Sequence, residues 1–334
     1  MPTEVLDPWL RDHLVCPLDY QELVISEDSN LICSSGHLYP IIDNIPVMLT
    51  KDKISTQPKI TRMVMDKLAE TTKVSHLNSV SKKEGTEGDS VDPFVQKSIS
   101  EVCGIMYDCL INKLRRYPLP DLPLPGGKGK IFLDLGCNWG RWCVSASRLG
   151  YQPIGIDHNL EAIRAARRVA CKLNAAAVYL VADARSLPFR KESFDVVFSY
   201  SVLQHFYKED VRISLSGVSR VLKKGGVCLT QMPNAFGLRN LYHQAKKCFR
   251  SSQGFEVRYW TPGELSRVFT GLIGPVSLSV DGFFSLNAQE SCSDLLPLYF
   301  RYIISCSLFL RRLSRVAPGL KYLADSLYVK SIRQ

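Results

Sequence analysis

The sequence predicts an α/β fold with a parallel central sheet, and three observations carry that prediction. Residues Ile131 to Leu135 form an apolar run that ends on Gly136, and helix-compatible residues from Arg141 stop at Gly150. That is the pattern of a buried strand, a tight turn and a helix. Two later apolar runs, Pro153 to Ile156 and Ala177 to Ala182, close on Asp157 and Asp183. Acids at the ends of successive buried strands place charge along one edge of such a sheet.

The turn itself discriminates between ligands. A dinucleotide fingerprint, G-x-G-x-x-G, needs glycine where Asn138 and Arg141 stand, so a pyrophosphate site is excluded. What stands instead is Asp134-x-Gly136-x-Asn138-x-Gly140. This resembles motif I of the class I S-adenosylmethionine-dependent methyltransferases, the group that includes ubiquinone and menaquinone methyltransferases. Asn138 replaces a family glycine, and Asn is the residue that best tolerates left-handed dihedrals after glycine. The resemblance implies a Rossmann-like seven-stranded sheet and a small N-terminal ribbon, and the residues of the tail add a helical C-terminal extension. It also implies S-adenosylmethionine as cofactor, bound by Asp134, Gly136, Asn138, Gly140, Asp157, Asp183, Ala184 and Ser199. An acid before the turn suits a ligand that carries a cation and no phosphate.

The 334 residues hold 46% hydrophobic residues, enough for a substantial core, and a net charge of +10. That charge admits nucleic acid, anionic lipid or an anionic substrate. Eleven scattered cysteines point to a reduced cytoplasmic chain, and Met1 to Leu14 lacks the apolar core of a signal peptide.

In chain order, residues 1–50 read as a ribbon. Cys16, Asp19, Cys33 and His37 occupy the ligand positions of a zinc-ribbon-like segment known from other methyltransferases, with one thiolate replaced by a carboxylate. Structural zinc favours sulfur and nitrogen. The expectation is therefore a degenerate ribbon held by apolar residues, with no metal assigned. Residues 51–92 read as a linker, rich in Ser, Thr, Lys, Glu and Gly over 71–92. The methyltransferase domain is expected over 93–290. Val95, Ile99, Val102, Met106 and Leu110 recur at helical spacing, so a helix precedes the catalytic fold. Tyr107 on its stripe suits core packing, and in related enzymes such a helix covers the cofactor.

A carboxylate at Asp157 can accept both ribose hydroxyls; the alternative for an aspartate there is a helix N-cap. Arg185 to Phe189 after Asp183, and Phe194 to Phe206, resemble the adenine-binding segment and motif IV of the family. His205, just after motif IV, is the candidate general base. A basic insertion over 234–260 lies on the substrate side. Tyr200, Arg258, Tyr259 and Trp260 are the candidate substrate residues. Thr261, Pro262 and Glu264 announce a capped helix, and Val276 to Phe284 a late strand.

The tail, 291–334, is expected to be an amphipathic helical extension. From Leu295 to Leu310 only Arg301 is charged, and Arg311, Arg312 and Arg315 follow. Sixteen residues fall short of the roughly 20 needed to span a bilayer. The pattern suits either an interfacial helix on anionic lipid or a helix packed on protein. The expected partners are a small-molecule, glycan or lipid-linked acceptor and a peripheral contact with the inner membrane surface. RNA methylation is the runner-up; no Asn/Asp-Pro-Pro-Tyr motif follows the fourth strand, where Ser199-Tyr200-Ser201-Val202 stands. An inactive methyltransferase-fold scaffold is the non-enzymatic alternative, disfavoured by the three intact acids.

Overall fold

The computed structural model describes residues 6–50, 90–284 and 289–334. Most of the expected linker lies outside the described residues. In chain order the helices are α1 (Pro8–His13), α2 (Pro93–Cys103), α3 (Arg141–Arg148), α4 (Leu160–Lys172), α5 (Lys208–Val221), α6 (Leu238–Lys246), α7 (Pro262–Leu272) and α8 (Leu298–Leu313). The ribbon strands are β1 (Leu23–Ile25), β2 (Leu31–Cys33), β3 (Leu38–Tyr39), β4 (Ile41–Ile42) and β5 (Ile45–Met48). The others are β6 (Ile131–Leu135), β7 (Gln152–Asp157), β8 (Val178–Ala182), β9 (Phe194–Ser199), β10 (Leu222–Pro233), β11 (Val276–Gly282) and β12 (Ser326–Ile332).

The main sheet runs β11-β12-β10-β9-β6-β7-β8-β5-β4. Strands β10, β9, β6, β7, β8 and β5 are parallel, while β12 is antiparallel to both its neighbours. The seven strands from β6 to β12 are the expected sheet, and β4 and β5 of the ribbon lengthen it beyond β8. The chain leaves β6 in one direction through β7 and β8, then returns to β9 on the other side. Beside β6 the strand order therefore reverses, and ligands of open α/β sheets bind outside the carboxyl ends at such a point.

The parallel strands are mostly apolar, as burial on both faces requires. Phe132, Leu133 and Leu135 of β6 are fully buried, as are Leu180 and Val181 of β8. Helix α4 turns Leu160, Ala162, Ile163, Ala166 and Val169 inward at helical spacing, and its alanines allow close approach to the sheet. The expected capping box at α7 is present: the Glu264 N–H donates to Thr261 Oγ1 (3.2 Å) and the Thr261 N–H to Glu264 Oε2 (2.9 Å). Helix α2 is shorter than its periodicity suggested. It breaks at Gly104, whose φ of 103° only glycine adopts readily, and a 3-10 turn over Ile105–Leu110 carries Tyr107 into the core. Tyr107 packs in one cluster with Val95, Ile99 and Trp139, so this segment covers the turn after β6.

The tail departs from the expected helical extension. After α8 and a 3-10 turn over Pro318–Tyr322, the chain inserts between β11 and β10 as β12. Leu327, Tyr328 and Val329 are buried there, and β12 pairs in register from Val227↔Ile332 to Pro233↔Ser326. The domain expected to end at 290 therefore closes only at the C-terminal strand. The physical reason is long-range pairing: Ser326 to Val329 are buried on both faces, so that half of β12 shows no polar alternation to mark it as a strand.

Candidate active site

The turn from Gly136 to Gly140 is left-handed at alternate positions, with φ of 72° at Gly136, 47° at Asn138 and 78° at Gly140. Asn138 thus adopts the dihedral that its place in the motif requires. A Cβ at Gly136 would lie 2.4 Å from the Val202 side chain, and one at Gly140 2.5 Å from the Tyr179 hydroxyl. The turn is held against the neighbouring strand because the Gly136 and Cys137 N–H groups both donate to the Ile156 carbonyl (2.8 and 2.9 Å).

Three acids line this edge. Asp134 is in register with Gly155 of β7 and Phe198 of β9, and it is almost fully buried. Burial pushes its carboxyl up to about 7, moderated by the Cys143 thiol, which donates to Oδ2 (3.5 Å), and by the nearby Arg141 cation. Asp157 accepts the Asn138 N–H on Oδ2 (3.0 Å) and the Asn159 N–H on Oδ1 (2.9 Å). The N-cap of α4 is Asn159, which accepts from Glu161 and Ala162. Asp157 is thereby released from capping, and each of its oxygens keeps a lone pair for a ligand. Asp183 is gripped by Arg185, which donates from Nε to Oδ1 (2.9 Å) and from Nη2 to Oδ2 (2.6 Å). An adenine amine at Asp183 would share that carboxylate with a guanidinium. Ala184 follows it, buried. Ser199, at the end of β9, is buried with an Oγ that finds no partner among the described residues.

Two residues that the sequence did not single out join the site. Arg141, the first residue of α3, is 4% exposed. Its Nη1 donates to the Cys103 sulfur (3.0 Å), and its Cζ lies 5.5 Å from the ring centroids of Trp142 and Tyr200. No carboxylate ion-pairs with it among the described residues, a costly state for a buried cation. The signal was there in sequence as a base directly behind the turn. Asp281, on β11, lies 81 positions from Tyr200 yet accepts the Tyr200 hydroxyl on Oδ2 (3.1 Å) and the Ser326 hydroxyl on the same oxygen (2.8 Å). Burial raises its carboxyl above the ordinary range.

His205 stacks on Phe255 at 4.0 Å between centroids and 3° between planes. Its Nδ1–H donates to the Phe255 carbonyl (2.8 Å), which leaves Nε2 unprotonated beside the Gln204 amide (3.2 Å). Burial lowers its pKa, which favours the neutral ring. Arg258 is buried. It donates to the carbonyls of His205 (2.7 Å) and Glu256 (3.0 Å), and its guanidinium lies 3.9 Å from the Tyr207 ring centroid. Arg258, Tyr259 and Tyr207 line a cavity of about 510 Å³ with Lys208, Lys247 and Arg250. Trp260 does not line it. At 1% exposure it belongs to the main core, because its strand-like bridge to Asn234 turns the indole inward. The expectation of Trp260 as a substrate residue is corrected accordingly.

In the ribbon, Cys16, Asp19, Cys33 and His37 bring one ligand atom each to within 4.8 Å of one another.

Residues 133–230 match the family model described as "Methyltransferase domain". This segment is a class I S-adenosylmethionine-dependent methyltransferase domain. Among its relatives, a ubiquinone biosynthesis O-methyltransferase of Brucella ovis is 33% identical over 130 residues, covering 38% of this chain and 50% of that protein. The like-named protein of Nitrobacter winogradskyi is 29% identical over 147 residues, covering 42% of this chain and 55% of the relative. The chain thus spans about half the length of the curated relatives it matches. Among solved structures, magnesium protoporphyrin IX methyltransferase of Synechocystis, solved with bound SAH, is 11% identical at a TM-score of 0.46. That alignment covers 85% of this chain and all of the other.

The residues of the methyltransferase edge fit the cofactor. A glycine-lined turn, a buried Ser199 hydroxyl with no partner among the described residues, and side chains of both signs, the acceptor Asp134 and the donor Arg141, match an amino acid zwitterion joined to a ribose.

Proposed function

We propose that the chain transfers a methyl group from S-adenosylmethionine to a hydroxyl of a small, lipid-linked acceptor. The observation that carries the reading is the alignment of Asp134, Asp157 and Asp183 at the ends of three neighbouring parallel strands beside a left-handed turn. Asp157 would hold the ribose through its free lone pairs, Asp134 the ammonium and Arg141 the carboxylate. The cofactor, when bound, supplies a methyl group activated by sulfonium. The protein's task is then to orient the acceptor, exclude water and receive a proton. Neutral His205, with Nε2 unprotonated, is suited to accept that proton. Its other nitrogen is fixed by the Phe255 carbonyl, which sets the tautomer.

The acceptor class is supported by what surrounds the carboxyl end of β10. Phe236, Leu238, Tyr242, Phe249 and Phe255 are exposed on α6 and the loops on either side of it. On α8, Leu298, Tyr299, Tyr302 and Phe309 are exposed ahead of Arg311 and Arg312. Both helices are fastened to one corner of the sheet: the Leu238 N–H donates to the Leu323 carbonyl, Arg239 to the Phe284 carbonyl, and Ser307 holds the Phe283 backbone. Exposed aromatics flanked by bases suit the interface of an anionic membrane. No helix among the described residues is long and apolar enough to cross one. The relatives' name, O-methyltransferase of ubiquinone biosynthesis, agrees with an acceptor hydroxyl.

Calorimetric titration with S-adenosylmethionine and S-adenosylhomocysteine tests the cofactor reading. Micromolar binding that is lost in Asp157→Ala is expected; no binding by the parent chain would return the inactive scaffold to first place. Sedimentation with anionic and neutral vesicles tests the acceptor reading, which fails if neither vesicle retains the protein.

A further inference from the structure

We propose that the ribbon holds one zinc ion, with Cys16, Asp19, Cys33 and His37 as its four ligands. His37 Nδ1 lies 3.4 Å from Cys16 Sγ, 3.3 Å from Cys33 Sγ and 3.2 Å from Asp19 Oδ2, and Cys33 Sγ lies 3.7 Å from that same oxygen. Tetrahedral zinc has bonds of about 2.3 Å to sulfur and about 2.0–2.2 Å to nitrogen or oxygen, which separates its donors by roughly 3.3–3.8 Å. Four of the six edges, at 3.2–3.7 Å, are close to those of that tetrahedron, and all six lie within 4.8 Å. A network of neutral hydrogen bonds gives no reason for four donors to be mutual neighbours.

The backbone presents these donors in two matching turns. After the first cysteine, the Tyr20 N–H donates to the Cys16 carbonyl (2.9 Å); after the second, the Gly36 N–H donates to the Cys33 carbonyl (2.9 Å). Gly36 stands at φ 81°, where a side chain would be strained. The ligands themselves are held from behind. The Gln21 N–H donates to Asp19 Oδ1 (3.1 Å), which leaves Oδ2 to the cluster, and the Tyr39 hydroxyl lies 3.2 Å from Cys16 Sγ. Outer partners of this kind orient metal ligands.

The second argument is energetic. Strands β1, β2 and β3 have three, three and two residues. A sheet that small needs a hydrophobic face, yet Leu18, Tyr20, Val24, Ile25 and Leu38 are exposed. Of these strands, Leu31, Cys33 and Tyr39 are buried and Leu23 packs beside them against the core. Leu31, Cys33 and Tyr39 anchor this small sheet in the main core, and a metal cross-link would add to that apolar anchoring. Two thiolates and an imidazole select zinc over the oxygen-preferring cations, and four protein ligands leave no open position for catalysis. Binding releases the thiol protons to solvent.

The site has a consequence for the cofactor edge. The Val15 N–H donates to the Pro188 carbonyl (3.0 Å), and the Arg190 N–H donates to the His13 carbonyl (2.9 Å). The ribbon thus braces the segment that follows Asp183.

The test measures zinc by mass spectrometry in the full chain, expressed with zinc and purified without chelator. About one zinc per chain is expected, absent from Cys33→Ser and retained in Asp19→Cys, which restores an all-sulfur-and-nitrogen set. Should Cys33→Ser fail to fold, the unmutated chain suffices. After chelation it is titrated with cobalt(II), and tetrahedral d–d bands with thiolate charge transfer are expected. Substoichiometric zinc without those bands, or a Cys16–Cys33 disulfide found by mass, would overturn the proposal. These readouts use no S-adenosylmethionine, so they stand whatever becomes of the methyl-transfer reading.

Discussion

The two sides of the carboxyl edge are built in opposite ways. On the cofactor side, Asp134 and Asp157 are fixed at strand ends whose backbones are locked by neighbours on both sides, and the turn between them is closed by two N–H groups on one carbonyl. On the acceptor side, β12 arrives from the end of the chain, and aromatic residues of α6 and α8 face outward. The first side is local in sequence and buried; the second is assembled from distant segments and left open. The lesson is that a shared cofactor fixes one wall of the site, while the other wall is free to follow its acceptor.

The comparison breaks first where the open side depends on a buried strand. Leu327→Ala removes a fully buried side chain from β12, and a loss of about 2–5 kcal/mol in denaturant unfolding is expected. Phe309→Ala on the exposed face of α8 should change stability by less than about 0.5 kcal/mol. Equal effects would mean that β12 is no more central than α8. Deleting the tail before Asp294 would remove β12 as well, so point variants are the cleaner probe of membrane contact.

On the cofactor side, Asp157→Ala removes charge-assisted hydrogen bonds. Affinity for S-adenosylhomocysteine should fall about 100-fold with the melting temperature little changed. A variant that melts early while binding normally would assign Asp157 to the turn rather than to the ligand.

Asp134 adds a pH dependence. Its carboxyl is protonated below about 7 in the folded chain against an ordinary 3.8, so the folded state carries the extra proton between those values. Stability without ligand should therefore fall as pH rises across that window. Pairing with the ligand's ammonium needs the ionised form, so S-adenosylmethionine should bind up to about tenfold more tightly per pH unit toward 7, then level off. Asp134→Asn should flatten that profile in calorimetry. The smallest effect belongs to the rim: Arg312→Ala, at an exposed base, should weaken binding to anionic vesicles about fivefold, near 1 kcal/mol for one base, and leave neutral vesicles unaffected.

Residue by residue, the cofactor edge was legible because each of its signals is local. An apolar run followed by Gly136 and Gly140, and acids closing later runs at Asp157 and Asp183, need no knowledge of the fold. The left-handed φ of Asn138 and the capping box at Thr261 were legible for the same reason. Hidden were contacts between residues far apart in the chain. Asp281 meets Tyr200 across 81 positions, β12 pairs with β10 across about a hundred, and His205 takes its tautomer from Phe255 across 50. Trp260 looked like a pocket residue because aromatic identity does not reveal which way a side chain points. Even Asp183 and Arg185, two residues apart, gave no sign in sequence that the base would grip the acid on both oxygens.

The sequence by itself determined the α/β class, the strand–turn–helix unit and the acids of the cofactor edge, because apolar periodicity and left-handed turns are properties of neighbouring residues. Only the tertiary structure decided that the tail closes the sheet, that Arg141 is a buried cation beside the turn, and that four ribbon donors meet. Those outcomes depend on which distant surfaces bury one another, and burial is a property of the packed chain.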